Sequence, residues 1–353
     1  MKRTAKLSDV AKAAGVSQGT ASNAFNRPEI VKPEVRERVE AAARLLGYGG
    51  PDPRGRLLRA GKVNAIGVVT GDDTAHCFTE PYVRLLMAGI AAGCDAHHAG
   101  LAIVPARLQT EAGWKIQTAL VDGFIVLCLG LGDELVELAR ERKLPLVSID
   151  LDTGPGTSSI LIDDRRGAYL AARHLLDLGH RALAIVSIQT SPLLRLGPVE
   201  PERLRASEFR FERDRAAGYA AALEERGLAL EDLKIVETPN ERRAAERQVA
   251  ALLEAHPEVT AVLALSDVLA FGAIDAARAR GLRVPEDLSV VGFDDIAEAA
   301  ACVPPLTTVA QPAVEKGRRA AQLVFEVAAA GTPRCEVLEV SLVVRGSTAP
   351  PRG

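Results

Sequence analysis

Leu7, Val10, Ala11 and Ala14 recur at three- and four-residue spacing, which predicts one apolar face of a short helix. Ser8 stands where a hydroxyl caps such a helix, and Gly15 tolerates the positive φ that ends one. A second helix follows a Ser17 cap: Val16, Thr20, Ala21, Ala24 and Phe25 alternate with polar Gln18, Ser22 and Asn23, and Asn26-Arg27-Pro28 stops it. The third begins at Pro33, buries Val35, Val39, Ala42, Ala43 and Leu46, and closes at Gly47. Two helices joined by Gly15-Val16-Ser17 and braced by a third make a helix-turn-helix, although the pattern alone also fits any three-helix bundle. Gly49-Gly50-Pro51-Asp52-Pro53 is linker chemistry. Arg54 to Ala60 allows about two further turns, too few to be stable alone because nucleation is costly.

From Val63 onward short apolar runs alternate with longer helical patterns. Strands are predicted at Ala65–Thr70, Leu101–Pro105, Gly123–Leu127, Leu146–Ile149, Leu183–Ile188, Ala261–Leu265, Ser289–Phe293 and Val337–Val344. Helices such as Pro81–Gly93, Asp133–Lys143, Arg166–Leu178, Arg215–Arg226, Arg242–Ala255 and Leu269–Arg280 lie between them. This alternation predicts doubly wound parallel sheets, and about ten strands exceed what one such lobe holds. The expected organisation is an all-α headpiece at 1–49, a hinge at 50–62 and a two-lobed α/β body at 63–353. Within the body, lobe 1 is expected at about 63–160 and 296–330, and lobe 2 at about 161–295 and 331–348.

Charge sharpens the division. Residues 1–62 carry 13 Lys or Arg against 6 Asp or Glu, a balance of +7, whereas the remainder stands at −10 within an overall −3. A small basic segment on an acidic body suits a polyanionic partner. Five cysteines without C-x-x-C spacing argue against disulfides and zinc fingers and fit a reduced, cytoplasmic setting. No apolar run follows the basic N-terminus and none approaches the roughly 20 residues that span a bilayer, so neither export nor a membrane partner is expected.

Ligands of open parallel sheets bind beyond the carboxyl ends of the strands. Polar residues at those ends are Asp150, Ser266-Asp267 and Asp294-Asp295, each open to a second reading as a cap for the next helix. Gly130-Leu131-Gly132 lacks a dinucleotide fingerprint, and His97, His98 and His180 have no partners at metal spacing. No metal, cofactor or catalytic triad is expected. Gln189 to Arg213 is long and arginine-rich and suits either a mobile lid or a solvated loop.

The run from Leu7 to Asn26, with Val35-Arg36-Glu37-Arg38-Val39 and Leu46-Gly47-Tyr48, resembles the headpiece of the lactose-repressor-type (LacI/GalR) family. The resemblance continues through Val121-Asp122-Gly123, Leu178-Gly179-His180-Arg181, Arg215-Ala216-Ala217-Gly218-Tyr219, Val284-Pro285 to Asp294-Asp295, and Pro304-Pro305-Leu306-Thr307-Thr308. It implies a two-lobed body like the periplasmic binding proteins, and a homodimeric regulator, usually a repressor, of palindromic operator DNA under a small effector, commonly a sugar. It further implies that Gln18, Gly19 and Asn23 face base edges while Ser17, Thr20, Ser22 and Asn26 hold phosphates. Leu7, Lys32 and Tyr48 are also implied to face DNA, and Leu58 to wedge into the minor groove beside Arg56. Effector contacts are implied for Asp150, Arg215, Ser266, Asp267, Phe293 and Asp294, with Phe78, Thr79 and Tyr82 on the other lobe. Departures from the family pattern are Asn23 for arginine, Gly55 for alanine, Ser266 for asparagine and Gly346 for glutamate; Gly19 carries no side chain to read a base. The rival classes, a solute-binding sensor and a cleft-carboxylate enzyme, would show an export signal without a basic headpiece, or turnover.

Overall fold

The computed structural model describes residues 5–50, 61–106, 112–127, 132–151, 153–154, 156–188 and 196–352. The expected hinge helix, with Arg56 and Leu58, lies outside them. The chain forms two compact units that divide after Val63.

The first unit is the expected trihelical module, with α1 at Leu7–Ala13, α2 at Gln18–Asn26 and α3 at Pro33–Leu46. Val10, Ala11, Ala21, Ala24, Val39, Ala42 and Ala43 form its core, and Phe25 meets Tyr48 edge-to-face at 5.9 Å. Gly15 and Gly47 adopt φ near +65° and +63°, ending the first and third helices as their positions require. Two expectations need correction. Ser8 lies inside α1, whose cap is Lys6; Asp9 Oδ2 accepts from the Lys6 backbone N–H at 2.9 Å. Leu46 is 42% exposed, because the helix ends one turn after Ala43 has completed the buried stripe.

The second unit holds two sheets. In chain order it runs β1 (Ala65–Thr70), α4 (His76–Thr79), α5 (Pro81–Ala96), β2 (Gly100–Pro105), α6 (Ala112–Thr118), β3 (Gly123–Leu127), α7 (Gly132–Arg140), β4 (Leu146–Ile149) and β5 (Ser158–Ile162). It continues with α8 (Asp164–Asp177), β6 (Leu183–Ser187), β7 (Gly197–Pro198), α9 (Pro201–Arg205), α10 (Arg210–Glu224), β8 (Lys234–Glu237), α11 (Arg242–Ala255), β9 (Ala261–Ala264), α12 (Asp267–Ala279) and β10 (Ser289–Asp294). Last come α13 (Ala297–Ala301), β11 (Thr307–Ala310), α14 (Ala313–Ala330), β12 (Cys335–Leu338) and β13 (Ser341–Val343). Lobe 1 is the parallel sheet β12-β5-β4-β3-β1-β2; lobe 2 is β13-β11-β10-β9-β6-β8-β7, antiparallel only at its two edge strands.

The chain crosses between lobes three times, after β5, β11 and β12. The expected lobe limits therefore change. Residues 296–310 belong to lobe 2, because β11 pairs with β10 in the register Val291↔Thr307. Residues 335–338 belong to lobe 1, because β12 pairs with β5. The single strand expected at Val337–Val344 is two strands on different sheets, interrupted where the chain crosses. β5, β7, β8 and β11 lie outside the expected set and complete the sheets.

Tight helix pairs are α5 with α14 in lobe 1, and α8 with α10 and α11 with α12 in lobe 2. A Cβ on Gly317 would stand 2.1 Å from the Leu86 carbonyl oxygen, and one on Gly89 2.0 Å from that of Val314. Only glycine permits this approach, which brings the start of α14 against α5. His180 is structural: its ring bonds Thr260 Oγ1 (2.8 Å), Ser289 Oγ (3.1 Å) and the Ala349 carbonyl (2.9 Å). Among the described residues no helix is long and apolar enough to cross a membrane, and no His, Cys, Asp or Glu group is set to hold a metal. Gly317→Ala should force the pair apart and cost about 1–3 kcal/mol, the usual range for overpacking. A urea titration checks this; an unmoved midpoint would contradict the close-packing assignment.

Candidate functional site

In the first unit, Ala21 and Ala24 turn α2 toward the core, which leaves Gln18, Gly19, Ser22, Asn23 and Asn26 on or near the opposite side. Ser17 Oγ accepts from the Thr20 backbone N–H at 3.0 Å and lies 2.8 Å from Thr20 Oγ1. Asn26 Nδ2 donates to the Ser22 carbonyl (3.0 Å) and Ser22 Oγ (3.2 Å), so these two side chains are held along the helix. Lys32 is exposed and makes no side-chain cap, leaving Pro33 to start α3. Leu7 and Tyr48 are half-buried against the trihelical core.

In the second unit the interlobe cleft is floored by a continuous polar chain. The Lys316 ammonium, fully buried at the start of α14, donates to Asp150 Oδ1 (2.8 Å) and Oδ2 (3.0 Å), Tyr82 Oη (2.7 Å) and Gln311 Oε1 (2.8 Å). Tyr82 Oη donates to Asp150 Oδ2 at 2.9 Å, and Gln311 Nε2 donates to Asp294 Oδ1 at 2.6 Å. Tyr82, Asp150 and Lys316 stand on lobe 1; Gln311 directly follows β11 at the second crossing, and Asp294 ends β10 on lobe 2. The chain thus ties the lobes together where the backbone passes between them. Asp150 and Asp294 occupy positive φ (60° and 121°), an uncommon state for residues with a Cβ that clusters at ligand sites.

Beside this chain, Arg215 Nε donates to Asp164 Oδ1 (2.8 Å) and Nη1 to the Leu265 carbonyl (2.6 Å), with the guanidinium 3.5 Å above the Phe293 ring. Burial pushes the carboxyls of Asp164 and Asp294 above their usual range, Asp294 further because Asp267 is near. Burial likewise raises Asp267 to about 7.

Toward the mouth, Ser266 Oγ donates to Asn240 Oδ1 (2.6 Å), and Asn240 Nδ2 reaches Glu80 Oε1 across the cleft at 3.4 Å. Glu80 also caps α5, its Oε2 accepting from the Val83 backbone N–H at 2.6 Å. A cavity of about 740 Å³ opens here, lined by both lobes, including Thr79, Glu80, Asn240, Arg242, Phe271 and Ile296.

Sequence reasoning gathered most of these groups but misjudged how some face. Tyr82, Asp150, Arg215 and Asp294 converge, and Ser266 sits on the mouth-side chain, but of the expected effector residues Thr79 alone is among those lining the cavity. Asp267 instead turns inward: its oxygens accept from Thr308 Oγ1 (2.5 Å) and the Ile296 backbone N–H (2.9 Å), so it holds lobe 2 together. Phe293 is fully buried beneath Arg215, and Phe78, 60% exposed, does not line the cavity. Lys316, Gln311, Asn240, Glu80 and Asp164 were missed. Lys316 had left a trace, since it shares the face of Gly317, Ala320, Ala321 and Val324, an apolar stripe on which a cation needs a partner.

Comparison with known proteins decides the family. Residues 6–50 match the model described as bacterial regulatory proteins, lacI family, and residues 172–348 match the periplasmic binding protein-like domain. An HTH-type transcriptional regulator of Mycobacterium tuberculosis is 37% identical over 355 residues, covering 99% of this chain and 98% of its own. The chain belongs to the LacI family. The HTH-type transcriptional repressor PurR of Erwinia tasmaniensis is 30% identical, with 98% of this chain and 97% of its own covered. The lac repressor dimer bound to operator and an anti-inducer superposes with a TM-score of 0.78 at 26% identity, covering 98% of this chain and 100% of that one. This LacI-family chain is accordingly a DNA-binding transcription regulator and not an enzyme.

Two measurements test the electrostatics. Lys316→Met leaves the Asp150 carboxylate buried without its cation and should cost roughly 3–5 kcal/mol; Lys316→Met/Asp150→Asn should recover most of that, because asparagine tolerates positive φ and still accepts from Tyr82. Equal urea midpoints for wild type and the single variant would contradict the assignment. Deeper in lobe 2, burial raises Glu212 from 4.5 to about 8, its oxygens accepting from Ser207 Oγ (2.6 Å) and Ser187 Oγ (3.4 Å). A raised carboxyl favours the fold below its unfolded pKa and loses that contribution as pH climbs through the folded one. Wild type should therefore lose stability from about pH 4.5 to 8 in a way that Glu212→Gln does not. Parallel stability–pH curves would exclude this.

Proposed function

We propose that this regulator is a repressor that grips a palindromic operator as a homodimer, with its grip set by a small effector, a sugar or sugar derivative, in the interlobe cleft. The supporting observation is the polar floor linking Tyr82, Asp150 and Lys316 of one lobe to Gln311 and Asp294 of the other, together with a separate cavity toward the mouth that both lobes line. Carboxylates at strand ends accept from ligand hydroxyls, and the Arg215 fork donates in a plane. An effector that enters this floor exchanges lobe-to-lobe bonds for bonds to itself. It changes DNA affinity only as far as it prefers one lobe pose over another.

The operator would be read by α2, with Gln18 and Asn23 on base edges and Ser17, Thr20, Ser22 and Asn26 on phosphates. Leu7, Lys32 and Tyr48 would add backbone contacts, and Leu58 with Arg56 would enter the minor groove. Gly19 would let the helix approach without reading. The lac repressor structure that this chain resembles is a dimer on its operator, which supports two-fold binding. The protein would act in the cytoplasm, with its DNA.

Selection from a randomised palindrome pool tests this reading. A symmetric site should emerge whose affinity falls steeply with salt, and Asn23→Ala should relax one base position per half-site by about 1–3 kcal/mol. Retention without sequence preference would refute it.

A further inference from the structure

The arginine-rich segment between β6 and α10 is neither cleft nor headpiece. Its described part is firmly anchored: Arg203 forms a two-point pair with Glu237 (2.5 and 3.1 Å), and Ser207 is bonded to buried Glu212. It lays a wall along α10, and between them runs a second groove of about 370 Å³. Arg165 at the start of α8, Arg205 at the end of α9 and Arg213 on α10 line it, over a floor of α10 alanines that includes Ala217 and Ala221.

The charges in this groove are unevenly answered. Arg205 is neutralised by Glu202 and Glu231, at 3.3 and 2.6 Å. Arg213 donates to the Ser207 carbonyl at 2.6 Å and has no carboxylate within ion-pair distance among the described residues, nor has Arg165. Residues 189–195 contain no acid that could serve them. Glu224 closes the far end of the groove. Among the described residues, two guanidiniums without an ion pair thus share a concave site whose floor is methyl groups.

We propose that this groove binds a small organic anion, a carboxylate or phosphate carried on an apolar body. Arg165 and Arg213 take the head group, since the planar fork matches both anions. The alanine floor takes the apolar body, whose transfer from water supplies affinity that a bare ion lacks. Glu224 repels a second negative charge at the far end, so the ligand is anionic at one end only. The site is separate from the interlobe cavity and shares no lining residue with it.

Calorimetric titration of the full-length protein with phenyl phosphate and with benzoate tests the proposal. At least one should bind saturably, one per chain, and the better of the two identifies the preferred head group. Affinity should fall tenfold or more, about 1.4 kcal/mol, in Arg165→Ala/Arg213→Ala and again in Ala217→Leu, which fills the floor without altering charge. Asp294→Asn, in the cleft, should leave it unchanged, and inorganic phosphate should bind at least tenfold more weakly. Absence of saturation by both probes, affinity unaltered in both groove variants, loss in Asp294→Asn, or equal binding of inorganic phosphate would each overturn the proposal.

Discussion

A lysine ammonium removed entirely from water must be answered by fixed partners, and here those partners lie on both sides of a cleft. Lys316 draws on Asp150 and Tyr82 within its own lobe and on Gln311 at the crossing, from which the chain of bonds reaches Asp294 in the other. Desolvating the charge is costly unless geometry and hydrogen bonding are nearly complete. The positions of α5, α14 and the ends of β4, β10 and β11 are therefore coupled. Glycines at 89 and 317 allow the helices close enough for the bonds to form, and positive φ at Asp150 and Asp294 turns the carboxylates toward them.

This arrangement fits the proposed switch, in which one pose is held and then given up to an effector. A cleft closed by apolar packing would resist entry of a polar effector, whereas one closed by hydrogen bonds can exchange them nearly one for one. Burial, with Asp267 nearby, pushes the Asp294 carboxyl up and so favours the form that can donate as well as accept. The acid balance of the body and the basic balance of the first sixty residues fit the proposed division of tasks, with DNA on the basic part and the effector on the acidic one.

Much of this was legible in the chain. Apolar runs such as Gly123–Leu127 and Leu146–Ile149 gave strand limits that match the structure, because strands buried on both faces need continuous apolar sequence. The trihelical module was equally plain from its stripes and its two terminating glycines. Partnership was not legible. Val337–Val344 reads as one strand because local pattern cannot say that Cys335–Leu338 and Ser341–Val343 pair with different sheets. Strand-end acids drew attention to Asp267 and Asp294 equally, yet only packing reveals that Asp267 serves Thr308 and Ile296. The stripe of α14 marks Lys316 as a cation in need of partners, but not which ones, since they come from positions 82, 150 and 311.

Amide hydrogen exchange across the crossings between lobes tests the central claim most directly. If the buried ammonium chain fixes how the lobes meet, Lys316→Met/Asp150→Asn should exchange faster around Ile149–Asp150 and Gln311–Ala313 while the interiors of β3 and β9 keep their protection. Unaltered protection at those crossings would contradict the account.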